Sequence, residues 1–479
     1  MKYNQDLKLS LATSYQSDGK LNLGIKASAG SKKLAYFGSL TGSFDKNNFY
    51  YTDYKGERLR LEHALVRSGS AVQQVEYLIN RKQRLMAACW YQATDRQIPP
   101  TMTMSESDQT QWDRALRCSL QWSRVGESNS ISVNTAFVDE VEHYKSQNAR
   151  VDSRYHLNTG STELEFKQYF SKKLSMRCSI MTHVVRADVP AYKGIEYQPD
   201  ASMSVAMSYR YIPTGIITVL NLRQDISRGY RSPFCPALSA EIPLSKVFAA
   251  TLSVSRNYRI PSLNDRYWVP GGNTELRPEK SLNFEGGASC YLVQGHSIQS
   301  KLSVNGYTMY ITDLIQWQTN NSGLSTAKNL QQVWSRGVEV SSKTEWKFAD
   351  DCNGYFRIGY NFSPSTLEGT GDGSTYQLHK QLMYAPLHKV NGTCYQAKGQ
   401  NFVLIVCSVT GIRYVQSDNA AKLPAFSLVD VHIGRNFRIK SSRLRLQIGI
   451  RNLFNTSYQS VQYYPEPGRL FSVNFSINL

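Results

Sequence analysis

The chain has 479 residues, of which 41% are hydrophobic, 19% charged and 11% aromatic, and a formal net charge of +18. That length exceeds one ordinary soluble core, so it implies two or three domains or one large closed architecture, and 30 Tyr, 18 Phe and 7 Trp exclude a disordered chain. No run approaches the roughly eighteen apolar residues of a membrane helix, and the excess Lys and Arg are scattered rather than striped, which argues against a nucleic-acid partner and fits solvated turns or a surface facing lipid phosphates.

Taken from the N-terminus, Leu7, Leu9 and Leu11 alternate with Lys8 and Ser10, the period of two that marks a strand with one apolar and one polar face. Further segments of this kind come after it, separated alternately by short and by longer connections. The short ones fall near Gly30-Ser31, Asn80-Lys82, Gly126-Ser128, Lys172-Lys173, Pro213-Thr214, Pro243-Lys246, Gln294-His296, Ala349-Asn353, Lys398-Gly399 and Lys440-Ser442. Between them lie connections around Asp18, then at 47–68, 95–112, 139–160, 187–200, 224–233, 256–280, 312–333, 363–386, 416–422 and 454–468. The last two strands are the clearest: Leu444, Leu446, Ile448 and Ile450 alternate with Arg and Gln, and Phe471, Val473, Phe475, Ile477 and Leu479 with Ser and Asn.

Ten short and eleven other connections join about 22 strands. Sorting short turns to one end and long, polar, aromatic connections to the other over a whole chain is the signature of an all-β, antiparallel transmembrane β-barrel, with an apolar lipid face and a polar lumen. Closure removes the strand edges that no water could satisfy in a bilayer.

Little else in the sequence signals chemistry. The eight cysteines have no metal-knuckle or redox spacing, and Cys118 and Cys178 sit in apolar alternation as small hydrophobes, so no disulfide is required and no metal or cofactor is expected. Gly369, Gly371 and Gly373 lack the strand-turn-helix setting of a phosphate loop. His432, alternating with Asp430 and Gly434, reads as a lumen-facing residue, and no spaced Ser, His and Asp set argues for an enzyme.

Three blocks of sequence resemble the barrel portion of TonB-dependent outer-membrane receptors across essentially the full length. They are Arg259-Ile260-Pro261-Ser262-Leu263-Asn264-Asp265 with Gly272-Asn273-Thr274-Glu275-Leu276-Arg277-Pro278-Glu279, then Tyr310-Ile311-Thr312-Asp313-Leu314-Ile315-Gln316-Trp317 with Asn329 and Gly337-Val338-Glu339, and last Asn452-Leu453-Phe454-Asn455 with Tyr464-Pro465-Glu466-Pro467-Gly468-Arg469. The block Trp90-Tyr91-Gln92 with Asp95-Arg96-Gln97-Ile98-Pro99-Pro100 is similar to the Bacteroidetes branch and to receptors of the vitamin B12 type. The resemblance implies an outer-membrane, usually monomeric, non-enzymatic receptor for a bulky scarce nutrient, cobalamin by preference and a ferric siderophore next. Glycan importers of the family are much longer chains. The stretch from Pro261 to Asn273 lacks the histidine common in haem receptors, which disfavours haem.

Met1 to Asp6 lead directly into the strand at Leu7, so the expectation is a barrel over 1–479 without the family's signal peptide, TonB-contacting box or plug. A mis-called start or lesion, a plug supplied by another polypeptide, and a gene remnant each account for that expectation. Partners then are outer-membrane lipid, the TonB system only through that plug, the nutrient, and a possible surface lipoprotein. Nutrient contacts are expected from loop aromatics: Tyr50, Tyr51 and Tyr54, then Tyr267 and Trp268, Trp317 and Trp334, and Tyr463 with Tyr464, Trp268 leading. The rival role for each is a membrane-interface girdle. Asp45, Asp53, Glu57 and Glu62 match no compact calcium template. The alternative functions are an unplugged passive pore or inactive truncated remnant, and a surface-binding module using the long loops.

Overall fold

The computed structural model describes residues 5–319, 325–370 and 378–479; Gly371 and Gly373 lie outside the described residues. Within these, the strands of the wall pair antiparallel with their neighbours in chain order, two small hairpins standing outside it, and the first strand, Gln5–Gln16, also pairs with the last, Leu470–Asn478, from Ser10 opposite Asn478 to Gln16 opposite Ser472. That seam closes the sheet into a barrel.

The sheet holds 23 strands, but two of them form a single stave. Cys352–Phe362 pairs with the lower part of Ser325–Ala349, and after Ser363 and Pro364 the chain resumes as Ser365–Thr370 against the upper part of the same strand. Pro364, which has no N–H to give the ladder, stands at the break. The described barrel therefore has 22 staves, an even number, as the alternating connections imply.

The alternation has a direct physical result, seen in the last strand. Phe471, Val473 and Phe475 are 54%, 48% and 36% exposed, while Ser472, Asn474 and Ser476 between them are half-buried. Leu23, Leu40, Leu120, Leu252 and Ile448 are likewise exposed large apolar residues at outward positions. Such a surface is unfavourable in water and favourable in hydrocarbon, so the molecule is inside out relative to a soluble protein. Among the described residues, buried apolar side chains gather into only two small clusters, both at the end of the barrel that carries the longer connections: Phe49, Leu61 and Ala64, and Ala187, Val189 and Tyr192.

The inner face is polar and charged. Arg117 pairs with Glu140, Arg96 with Asp113 and Arg223 with Asp225 on this side of the wall. Where the strands nearest the seam carry small residues inward, including Ala12, Ser14, Gly24, Ser43 and Ser70, a hollow of about 760 Å³ opens, with Arg445, Gln447 and Trp90 at its margin. His432 also faces inward, its ring lying over Gly449, where a β-carbon would stand 2.2 Å from Nδ1.

All ten expected short turns are present, each of two to four residues between strands. Several expected loops are instead strands. Asn129–Ser146 and Val151–Tyr169 pair up to Val151 opposite Ser146, and Ile298–Thr319 pairs with Ser325–Ala349 up to Thr319 opposite Ser325, so the connections expected at 139–160 and 312–333 are mostly ladder. The reason is that these strands project above the lipid. Both faces then meet water, the apolar alternation ends, and the backbone pairing continues without it. On the outward side there, His143 bonds Asp152 at 2.6 Å and His156 bonds Asp139 at 2.7 Å, which no hydrocarbon-facing position would tolerate.

Two neighbouring substitutions test the assignment of faces. Leu252→Arg, outward, is expected to destabilise the barrel by about 2–4 kcal/mol if near the bilayer midplane, whereas Ser253→Arg, inward, changes stability by about 0.5 kcal/mol or less. Denaturant unfolding in lipid vesicles measures both, and equal midpoints for the two would refute the assignment.

Candidate functional site

The connection over 260–278, at the outer end, begins with a local signal. In Ser262-Leu263-Asn264-Asp265, the Ser262 hydroxyl accepts from the Asp265 amide at 3.1 Å and the Asp265 carboxylate accepts from the Ser262 amide at 3.0 Å, a capping box that starts a one-turn helix, α1, Leu263–Tyr267. Asp265 is buried, and its other oxygen accepts from Trp317 Nε1 at 2.9 Å. Arg259 lies 3.7 Å from the same carboxylate and forks onto Glu279, with Nε donating to Oε2 at 2.7 Å, while Glu279 Oε1 also accepts from the Ile315 amide at 2.8 Å. One carboxylate thus caps a helix and holds a tryptophan of the next hairpin, and a second joins the loop base to that hairpin.

The far side of the loop is fastened equally. Asn329 accepts from the Arg277 amide at 2.7 Å and donates to the carbonyls of Arg277 and Asp313, both at 2.8 Å. Gly271 has φ of +115°, and a β-carbon there would stand 2.0 Å from the Ser325 carbonyl oxygen, so only glycine allows the loop to press against this strand.

The apolar side of α1 decides where the loop goes. Leu263, Tyr267 and Trp268 pack on Ala187, Val189 and Tyr192, with Tyr155 and Leu157 beside them. Ala187 is the register partner of Leu157, and Leu157 that of Glu140, whose ion pair with Arg117 lies inside the wall. The loop therefore folds inward across the mouth of the barrel. Trp268 and Tyr155 have ring centroids 6.3 Å apart, Tyr192 and Tyr267 6.1 Å, and the Tyr192 hydroxyl donates to Asn264. Burial, aided by the nearby Asp265 charge, pushes the Tyr192 hydroxyl pKa up to about 12, so it remains a neutral donor at any ordinary pH. Arg266 lies over the rings of Tyr230 and Tyr267 and donates to Gln198 at 2.6 Å.

A second sector of the mouth is built from the connections on either side of the barrel seam. A small hairpin, Tyr50–Thr52 with Arg58–Arg60, stands on Phe49, Leu61 and Ala64, with Tyr51 packed on them and Arg58 over the Tyr50 ring at 4.7 Å. Between it and the last connection lies a hollow of about 480 Å³ lined by Tyr50, Tyr51, Arg58, Asn455, Glu466 and Arg469. Tyr54 is exposed at the hairpin tip, and Tyr463 and Tyr464 are exposed in the last connection, where the Tyr463 carbonyl accepts from the Met102 amide at 2.8 Å. Buried Arg413 braces that connection, donating to the carbonyls of Gln459 at 2.9 Å and Pro424 at 2.7 Å and lying over Phe426; burial depresses its pKa.

The expected contact residues thus divide. Tyr267 and Trp268 lie in the inward loop and Trp317, on the strand Ile298–Thr319, fastens it through Asp265, all three partly buried and engaged with protein partners. Tyr50 and Tyr51 line the second hollow, and Tyr54, Tyr463 and Tyr464 are open to solvent. Trp334 stands apart on the outward face, opposite Tyr310, donating to Thr308 at 2.6 Å beneath Arg336, a position suited to the lipid interface. Of the acidic residues considered for calcium, Asp45 pairs with Lys20 at 2.8 Å and Asp53 accepts from the amides of Lys55 and Glu57 within its turn. Sequence reasoning missed Arg58, Asn455, Glu466 and Arg469 as a group; the family-like block at 464–469 was the one available signal, since hairpin and last connection are about four hundred residues apart.

Asp265→Ala removes the carboxylate half of the capping box and strands the Trp317 indole N–H, so the inward loop is expected to loosen by about 1–3 kcal/mol. Hydrogen exchange should show faster amides over 260–278 with the barrel strands unchanged; unchanged protection of the loop would contradict this account of its anchoring.

Known proteins resemble this chain in sequence and in the barrel. The chain is 24% identical over 248 residues to the vitamin B12 transporter BtuB of Photobacterium profundum, covering 51% of this chain and 38% of that protein. It is 31% identical over 226 residues to the vitamin B12 transporter BtuB of Vibrio vulnificus, covering 45% and 33%. These matches span about a third of the relatives' own lengths. Among solved structures, the FrpB iron transporter from Neisseria meningitidis superposes with a TM-score of 0.80 at 10% identity, over 99% of this chain and 82% of that one. The siderophore receptor PirA from Acinetobacter baumannii gives 0.79 at 13% identity, over 100% and 81%. At such identities the likeness is one of fold. The family described as TonB dependent receptor-like, beta-barrel, matches residues 2–453, and this chain belongs to it.

Proposed function

We propose that this chain forms, in a bacterial outer membrane, the barrel of a receptor for TonB-dependent uptake of a bulky scarce nutrient, with a cobalamin as the preferred cargo and a ferric siderophore as the next. The observation that carries this reading is the mouth: inward-folded and seam-flanking connections bring Tyr50, Tyr51, Tyr54, Tyr267, Trp268, Tyr463 and Tyr464 to the outer end of a polar lumen. Flat rings give a large cargo apolar contact, while phenol and indole groups give it orientation. The preference for cobalamin draws on the two relatives named as vitamin B12 transporters, which match by sequence, whereas the iron and siderophore receptors match by fold.

Within this reading the residues divide the work. Tyr54, Tyr463 and Tyr464, open to solvent, meet the cargo first. Tyr267 and Trp268 shape the rim from the inward loop, with Trp317 holding that loop in place. A lumen enclosed by 22 staves is too wide to be filled by its own side chains, so directed uptake needs a plug, on which TonB would act. Lipid, plug and nutrient are then the partners, and the barrel itself performs no bond chemistry.

Detergent-purified barrel, its folded state verified by heat-modifiable gel mobility, should bind cyanocobalamin saturably as read by intrinsic tyrosine and tryptophan fluorescence. The triple variant Tyr54→Ala, Tyr463→Ala, Tyr464→Ala should weaken binding at least about tenfold, the usual scale for losing aromatic anchors. Saturation by a ferric siderophore alone would reassign the cargo, and no saturation by either would sink the proposal.

A further inference from the structure

All eight cysteines lie on strands of this barrel, and six have no cysteine across the ladder: Cys178 faces Phe166 and Val205, Cys235 faces Arg223, Cys290 faces Phe248 and Leu302, Cys352 faces Lys398 and Ala349, Cys394 faces Phe356 and Ile405, and Cys407 faces Gly392 and Val429. The other two are register partners. Cys89 on Gln83–Gln97 stands directly opposite Cys118 on Thr110–Val125, with the two Sγ atoms 2.8 Å apart. No other sulfur lies opposite them.

Facing antiparallel residues have Cα atoms about 4.5–5.5 Å apart, within the roughly 4.4–6.8 Å that a disulfide spans. The backbone is therefore already placed for a bond, and small side-chain rotations bring the sulfurs the remaining distance. Both side chains point outward, in the row that runs from Gln73 through Cys89 and Cys118 to Phe137, with Tyr91 and Leu116 above and Ala87 and Leu120 below. Phe137, Tyr91 and Leu120 are among the exposed apolar residues of the lipid face.

We propose that Cys89 and Cys118 are a modification site, joined in the mature protein by a cross-strand disulfide on the lipid face. The oxidant is a disulfide-bearing exchange protein of the aqueous compartment that an outer-membrane chain crosses before lipid covers it. One cysteine, as its thiolate, attacks the oxidant's disulfide, forming a mixed disulfide and releasing one oxidant thiol. The second cysteine thiolate then attacks the mixed disulfide, closing the Cys89–Cys118 bond and releasing the other oxidant thiol. Two cysteine thiols are oxidised and one disulfide of the oxidant is reduced to two thiols, so electrons and protons balance. Once inserted, the bond lies beneath acyl chains, where charged reductants do not reach it. It would clamp the two staves that carry the connection at 98–109, whose Met102 amide bonds the Tyr463 carbonyl at the mouth. The inference is independent of cargo.

The test uses the full chain assembled in a bacterial outer membrane, extracted and denatured with iodoacetamide present, and weighed intact. The expected result is six alkyl groups without prior reduction and eight after it, with one peptide pair linked through Cys89 and Cys118. Cys118→Ser should take up seven groups with or without reduction, and the double variant Cys89→Ser, Cys118→Ser six in both conditions. Eight groups on the unreduced chain, a bridge between any other pair, or a small thiol carried on one of the two would overturn the proposal.

Discussion

A backbone crossing hydrocarbon must pair every N–H and C=O with itself, because no water is there to do so, and each unpaired group costs several kcal/mol. In this chain the requirement is met at the seam, where Gln5–Gln16 pairs with Leu470–Asn478 although the two lie at opposite ends of the sequence. Closure constrains the rest of the molecule. Side chains must alternate between lipid and lumen, turns at one end can be as short as two residues, and everything that does not fit the cylinder is carried at the other end.

A cylinder of 22 staves is wide, and its walls contribute mostly small or charged groups to the inside. The outer connections compensate by ordering themselves. The loop at 260–278 has only a one-turn helix, so its shape comes from polar anchors: Asp265 joins Ser262 to Trp317, Glu279 joins Arg259 to Ile315, and Asn329 joins both sides of the hairpin. Arg413 serves the last connection in a similar way with neutral carbonyls and a ring instead of a carboxylate. Arg259, Asp265, Glu279 and Asn329 all belong to the sequence blocks by which the chain resembles its family, so those blocks carry the anchors of the mouth.

Legibility tracked the lipid. Where one face meets hydrocarbon, Phe471, Val473 and Phe475 announce both the strand and its orientation, and all ten tight turns could be located from the breaks between such runs. Above the bilayer the signal fades: the strands around Val151 and Ser325 read as loops because water bathes both of their faces. The site was legible only in part for the same reason. Trp317 and Trp334 flank one connection and look equivalent, yet Trp317 reaches the inward Asp265 while Trp334 pairs with Tyr310 on the outer surface.

Periodicity, turn positions and composition, all local properties, were enough by themselves to determine that this chain closes into a lipid-facing cylinder with a polar interior. Which distant residues meet was decided only by the tertiary structure, because that depends on strand register summed around the ring: Tyr50 beside Glu466 across the seam, the inward fold of Trp268 against Tyr155, and Cys89 opposite Cys118. A shift of one residue in register exchanges the faces of a strand and would undo each of these meetings while leaving the strand's own alternation as readable as before.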